Sequence, residues 1–182
     1  MQNNKNSFLT KTELENLPFK QIGNHVLISR KASFFNMEEI SIGNNVRIDD
    51  FSLLSGKITI GSNVHISAYC ALYGKFGIEL KDHTGLSPRC TIISASDDFS
   101  GEYLIGPTND PQMTKISGGK VIIEKFAQLG VNTVILPDLT IKEGTVTGAM
   151  TLVNKSLDSW GVYTGIPAKK LKNRSKHLLN KI

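Results

Sequence analysis

Aliphatic residues recur along most of this chain every six positions, a period that neither a 3.6-residue helix nor an alternating strand produces. The second half shows it most plainly: Ile123-Glu-Lys-Phe-Ala-Gln is followed by units opening at Leu129, Ile135, Ile141, Thr147 and Val153. In the first half, units open at Ile22, Ile42, Ile48, Ile60, Ile66, Leu80 and Leu86. The second place of a unit is often glycine or a small polar residue, and the fifth is often small or β-branched. A six-residue unit suits a short strand plus a turn. Three such units close a triangular coil of eighteen residues, and successive coils stack at the ~4.8 Å spacing of hydrogen-bonded strands. Leading and fifth residues then form inward ladders. Glycine at the second place reads as a corner whose backbone conformation a Cβ would oppose. A parallel β-helix is therefore expected over 20–166. The period does not set its hand, since parallel crossovers are normally right-handed.

Three segments break the repeat. Thr10 and Glu13 form a T-x-x-E capping box ahead of Leu14 and Leu17, with Pro18 ending a short helix, so 1–19 reads as an N-terminal helical segment. Residues 97–119 are too long and turn-rich for a coil, and such loops often carry function. The stretch 167–182 reads as a basic C-terminal helix with Leu171, Leu178 and Leu179 on one side. Cys70 and Cys90 are both fifth residues, one coil plus a two-residue insertion near 75–79 apart, and read as buried rungs of a ladder.

Composition narrows the setting. A length of 182 residues with 40% hydrophobic residues fits one domain with a real core. No run approaches the roughly 20 apolar residues of a membrane span. The opening MQNNKNSFLTKTELENL lacks the features of a signal peptide, and two cysteines make no disulfide framework, so a cytoplasmic protein is expected. The net charge of +5 suggests an anionic partner, and Lys169, Lys170, Lys172, Arg174 and Lys176 gather near the end. Zinc-ligand spacing and RNA-binding aromatic signatures are both lacking, so neither a metal nor nucleic acid is expected.

Gly165-Ile-Pro-Ala-Lys-Lys, after Ile135-Leu-Pro-Asp-Leu-Thr and Val146-Thr-Gly-Ala, makes 121–174 resemble the hexapeptide-repeat acetyltransferases that modify maltose, galactosides and xenobiotics. It also resembles the related sugar acetyltransferases of surface-polysaccharide pathways, and SASDDFSGEYLIGP looks like that branch in particular. The resemblance implies a left-handed β-helix, a homotrimer, and acetyl-CoA lying along the coils between neighbouring subunits. Gly148 and Ala149, with Gly130 and Pro167, match the surface that faces the pantetheine arm, where an N–H could stabilise the tetrahedral oxyanion. Lys155, Lys169, Lys170 and Arg174 match the bases expected against the CoA phosphates. Tyr69, Tyr73 and Tyr103 are candidate sugar contacts.

The chain departs from that pattern at the catalytic base: Asp97 stands where many relatives carry histidine, and Gln128 replaces a frequent tryptophan. Attack by a sugar hydroxyl on a thioester needs a base with pKa near 7, which an ordinary aspartate at ~3.9 is not. An amine is nucleophilic once neutral, and an Asp97–Asp98 pair suits holding and orienting an ammonium. N-acetylation of a nucleotide-linked amino sugar is the expectation. Sugar O-acetylation with His83 as the base and a catalytically inactive β-helix scaffold remain the alternatives.

Overall fold

The computed structural model describes residues 7–181 and shows a three-sided parallel β-solenoid of about seven turns. The first face is built from Gln21–Ile22, Ile40–Ile42, the ends of Leu53–Ile60 and Ala71–Leu80, Val121–Ile123 and Thr140–Ile141. The second face stacks Leu27–Ile28, Val46–Ile48, Val64–Ile66, Gly85–Leu86, Gln128–Leu129, Val146–Thr147 and Gly161–Thr164. The third stacks Ser33–Phe35, the starts of the two long strands, Thr91–Ile93, Val134–Ile135 and Leu152–Val153. The hexad ladders fill the interior. Ile28, Ile48, Ile66, Leu86, Leu129 and Thr147 form one inward column. Cys70 and Cys90 stand in another; the Cys70 thiol and burial together hold the Cys90 thiol far above its ordinary range, so it is a core rung.

The corners correct one expectation. The strained position is the fourth of each unit, not the second: His25, Asn45, Asn63, His83, Phe126 and Trp160 line the first–second corner at φ between 54° and 62°. Glycine at the second place answers to stacking instead, since a Cβ on Gly43 would come within 2.7 Å of the Gly61 carbonyl in the next coil. The two-residue insertion falls between Gly74 and Ile78, where pairing with the preceding coil slips.

At the N-terminal end, α1 (Lys11–Glu15) lays Leu14 over the open core. The Thr10 N–H donates to Glu13 Oε2 at 2.7 Å and the Glu13 N–H to Thr10 Oγ1 at 3.3 Å, completing the capping box. Arg30 grips the same carboxylate at 2.6 and 2.7 Å, which holds Glu13 down at about 2. Between the fourth and fifth coils the chain leaves as a hairpin, Ala95–Asp97 pairing antiparallel with Ile116–Gly118.

The C-terminal helix is not formed. Lys169–Asn173 is a strand running antiparallel to Gly161–Thr164, followed by a single 3₁₀ segment, His177–Lys181. Gly161–Thr164 ends the second face, and its free edge would leave a row of unpaired N–H and C=O groups; the tail supplies their partners.

Candidate active site

The second–third corner gathers most of the site. Pairing of Gly85 with Gln128 and of Gln128 with Val146 places Ser87, Gly130 and Gly148 on one rung column in three successive coils. Glycine is required at 130 because a Cβ there would stand 2.6 Å from Gly148 C. The Gly148 N–H is already committed to Tyr163 O at 2.7 Å, and the Gly130 N–H to Thr147 O at 3.0 Å. The expected oxyanion role therefore moves off Gly148. Among the described residues the Ala149 N–H, at an exposed position, has no partner, and neither has that of Val131 at the equivalent place one coil earlier. Val131, Met150 and Ile166 expose apolar side chains along the same corner, and Pro167 is exposed just past it, a strip suited to a pantetheine arm.

The two adjacent aspartates separate. Asp98 is consumed by the hairpin: it accepts the Ser100 N–H at 2.7 Å and lies 3.4 Å from Lys115 Nζ, and the Ser100 and Lys115 contacts hold it below the usual carboxylate range. The expected carboxylate pair is thus a single free carboxylate beside a turn cap. Asp97, half-buried at the base of the hairpin, makes no side-chain hydrogen bond or ion pair among the described residues. His83 lies on the first–second corner, stacked on Phe126 at 5.3 Å, whereas Asp97 leaves from the end of the third face. Within one chain the two do not meet.

The expected phosphate ligands split as well. Lys155, Lys169 and Lys170 surround one cavity of about 480 Å³ at the C-terminal end of the solenoid, with Tyr163 and Asp158. Arg174 is elsewhere. Its guanidinium donates to Phe126 O at 2.7 Å and Gly144 O at 3.0 Å and covers the Trp160 ring at 5.9 Å, while burial lowers its pKa. Arg174 braces two successive coils at the first–second corner and is not free for a phosphate. The tyrosines scatter too: Tyr69 stacks on Phe51 at the active corner, Tyr73 lies on the third face beside the hairpin, and Tyr103 sits in the hairpin under Lys115. Ser87 was not singled out in the sequence, and only the coil register reveals that it underlies Gly130.

This solenoid with a rung column at one corner and a carboxylate at a hairpin base is the form of a hexapeptide transferase, and the family model "Bacterial transferase hexapeptide (six repeats)" matches residues 39–74. The chain belongs to the hexapeptide-repeat acyltransferases. The dTDP-4-amino-4,6-dideoxy-D-glucose acyltransferase of Escherichia coli is 39% identical over 176 residues, 95% of this chain and 92% of that one. AntD, an N-acyltransferase from Bacillus cereus solved with dTDP and 3-hydroxybutyryl-CoA, is 48% identical at a TM-score of 0.94, covering 97% of this chain and 94% of that one. AntD has also been solved with an aspartate replaced, and with a serine ten positions before it replaced. The hexapeptide-repeat acetyltransferase VCA0836 of Vibrio cholerae, 19% identical with a TM-score of 0.65 over 92% of this chain and 83% of that one, shares the fold. The coils are those of the left-handed parallel β-helix.

Proposed function

We propose that this chain transfers an acyl group from acyl-CoA, acetyl-CoA in the first instance, to the amine of a dTDP-linked amino sugar. The observation that carries the reading is a similarity running the whole length of two proteins described as acylating such sugars or as binding dTDP and acyl-CoA. Ser87 and Asp97 stand ten apart, the separation of the serine and aspartate varied in AntD. In this reading the unpaired Asp97 carboxylate receives the acceptor's ammonium and takes its proton. The neutral nitrogen attacks the thioester carbonyl, and the Ala149 N–H bonds the oxyanion. That attack forms the C–N bond; as the oxyanion collapses the C–S bond breaks, the nitrogen's second proton passes to the departing CoA thiolate, and Asp97 gives the first one up to water. Gly130, Gly148 and Pro167 line the pantetheine arm, and Lys155, Lys169 and Lys170 meet the phosphates.

The exposed apolar column of Phe51, Tyr69, Val131, Met150 and Ile166 suits cover by a neighbouring subunit, and a homotrimer acting in the cytoplasm on surface-polysaccharide precursors is part of the proposal. The test is CoA-thiol release with a dTDP-4-amino-6-deoxysugar against its 4-hydroxy counterpart, with sedimentation in the same buffer. Release with the amine alone, by a trimer, is expected. Equal release with both, or an active 20 kDa monomer, overturns it.

A further inference from the structure

Behind the second–third corner, buried side chains donate to its carbonyls from inside the solenoid. The fifth residue of each hexad reaches the second residue of the next coil. Ser52 Oγ donates to Ser67 O at 2.9 Å and Cys70 Sγ to Ser87 O at 3.3 Å. Cys90 Sγ donates to Gly130 O at 3.2 Å and Thr133 Oγ1 to Gly148 O at 3.4 Å. Thr151 breaks the rule. Its buried hydroxyl turns back within its own coil and donates to Gly148 O at 2.8 Å, so Gly148 O is the one carbonyl of the four met by two side-chain hydroxyls. A single arrangement of protons uses every contact. The Gly130 N–H donates to Thr147 Oγ1 at 3.0 Å, Thr147 gives its own hydrogen to Thr133 Oγ1 at 2.8 Å, and Thr133 donates on to Gly148 O.

A carbonyl pinned inward fixes the other end of its peptide plane. The Gly148–Ala149 bond is trans, so its N–H points opposite to its C=O. With Gly148 O held toward the buried threonines, the Ala149 N–H turns out at the exposed corner, where the described residues give it no partner. Donors on the carbonyl also polarise the amide and strengthen its N–H as a donor. The hold matters because glycine on one side leaves this peptide freer to rotate than one between two substituted residues. A flipped peptide would present Gly148 O outward and repel a developing negative charge. The Val131 N–H one coil earlier is also unpaired, but Gly130 O behind it meets a thiol, a weaker donor, and the Thr133 N–H at 3.2 Å.

Resting on the acyl-transfer reading above, we infer that Thr151 is a positioning residue for the reaction: from inside the core, its hydroxyl holds the Ala149 N–H aimed at the thioester oxygen before substrate arrives. As the amine nitrogen adds to the thioester carbonyl, the π pair moves onto the oxygen, where the Ala149 N–H bonds it. The pair returns to carbon as the C–S bond breaks and the sulfur leaves with its own pair. A donor set in place beforehand needs no reorganisation at the moment the charge develops. Thr151 touches neither substrate and acts only through the peptide it pins.

Three substitutions in the whole protein test this. Thr151→Val keeps the shape and removes the hydroxyl, Thr151→Ser keeps the hydroxyl, and Thr151→Cys installs the thiol that the column already accommodates at Cys70 and Cys90. Single-turnover rates with saturating acetyl-CoA and a dTDP-4-amino-6-deoxysugar give the chemical step. In Thr151→Val that rate should fall about 10–100-fold. The KM values and the calorimetric Kd for CoA, which has no thioester carbonyl, should stay at wild-type values. Thr151→Ser should recover the wild-type rate and Thr151→Cys should fall between. A wild-type rate in Thr151→Val overturns the assignment and leaves the oxyanion to another donor, such as the Val131 N–H. Should Thr151→Val not fold, a wild-type rate in Thr151→Cys overturns it equally. Joint loss of rate, KM and CoA affinity that Thr151→Ser does not repair makes Thr151 a packing residue and overturns its positioning role. A wild type that releases no CoA with the amino sugar overturns the acyl-transfer reading along with this one.

Discussion

The second–third corner and the C-terminal cap are made of the same materials, a strand edge, a glycine-bearing turn and nearby basic residues, yet they end in opposite states. At the cap the groups that close the fold are consumed, with only the Lys155, Lys169 and Lys170 side chains left open around the cavity: Arg174 fills two carbonyls, Lys169–Asn173 closes the last strand edge, and the Tyr163 hydroxyl contacts Asp158. Among the described residues, Ala149 at the corner keeps a free N–H, and Asp97 at the hairpin base, beyond the third face, keeps a free carboxylate. Chemistry needs groups with unmet bonding capacity held by a frame that has none to spare, and this molecule keeps the two apart. The neighbouring aspartates repeat the contrast at the scale of one peptide bond, with Asp98 tied into a turn and Asp97 open.

Substitutions can break that contrast from either side. The largest effect is expected at Asp97→Asn, which keeps size and hydrogen bonding and removes the charge. If Asp97 receives the ammonium, kcat/KM for the amino sugar falls about 10²–10⁴-fold while CoA affinity holds, as steady-state kinetics and calorimetry will show. Unchanged acceptor kinetics would remove Asp97 from the site. At the cap the loss should be of stability rather than turnover. Arg174→Ala strands the Phe126 and Gly144 carbonyls and is expected to cost about 3 kcal/mol in thermal or denaturant unfolding. The surviving folded protein should discriminate CoA from dephospho-CoA as the wild type does. A selective loss of CoA in Arg174→Ala would return that guanidinium to the phosphate site. The smallest effect is at Lys155→Ala, about a tenfold loss in acyl-CoA affinity that shrinks with the dephospho-form. Equal losses for both would place Lys155 away from the 3′-phosphate.

Much of the frame is legible in the chain because a solenoid repeats its own environment. Ile48, Ile66, Leu86 and Leu129 occupy equivalent places, so each hexad restates the inward ladder. The second-place glycines were legible as necessary but not for their actual reason, since contact with the coil above depends on stacking that one coil does not show. The better signal for the left-handed corners was Asn45, Asn63 and Asn132 at the fourth place, because asparagine tolerates that conformation. Residues 167–182 misled for a tertiary reason: Leu171, Leu178 and Leu179 among basic residues fit a helix face, but an open strand edge beside 169–173 outweighed local preference. The fates of Asp98 and Arg174 rest on partners at Ser100, Lys115, Phe126 and Gly144, and which of two adjacent carboxylates is taken is decided by backbone direction alone.

The central claim is that an acyl group ends on the sugar nitrogen, with Asp97 handling the ammonium. Incubating the protein with [1-13C]acetyl-CoA and a dTDP-4-amino-6-deoxysugar and recording the carbon spectrum of the product tests it most directly. The account predicts an amide carbonyl coupled to the sugar N–H, formed in step with free CoA thiol and nearly absent with Asp97→Asn. An ester carbonyl, or amide formed equally well by Asp97→Asn, would contradict it.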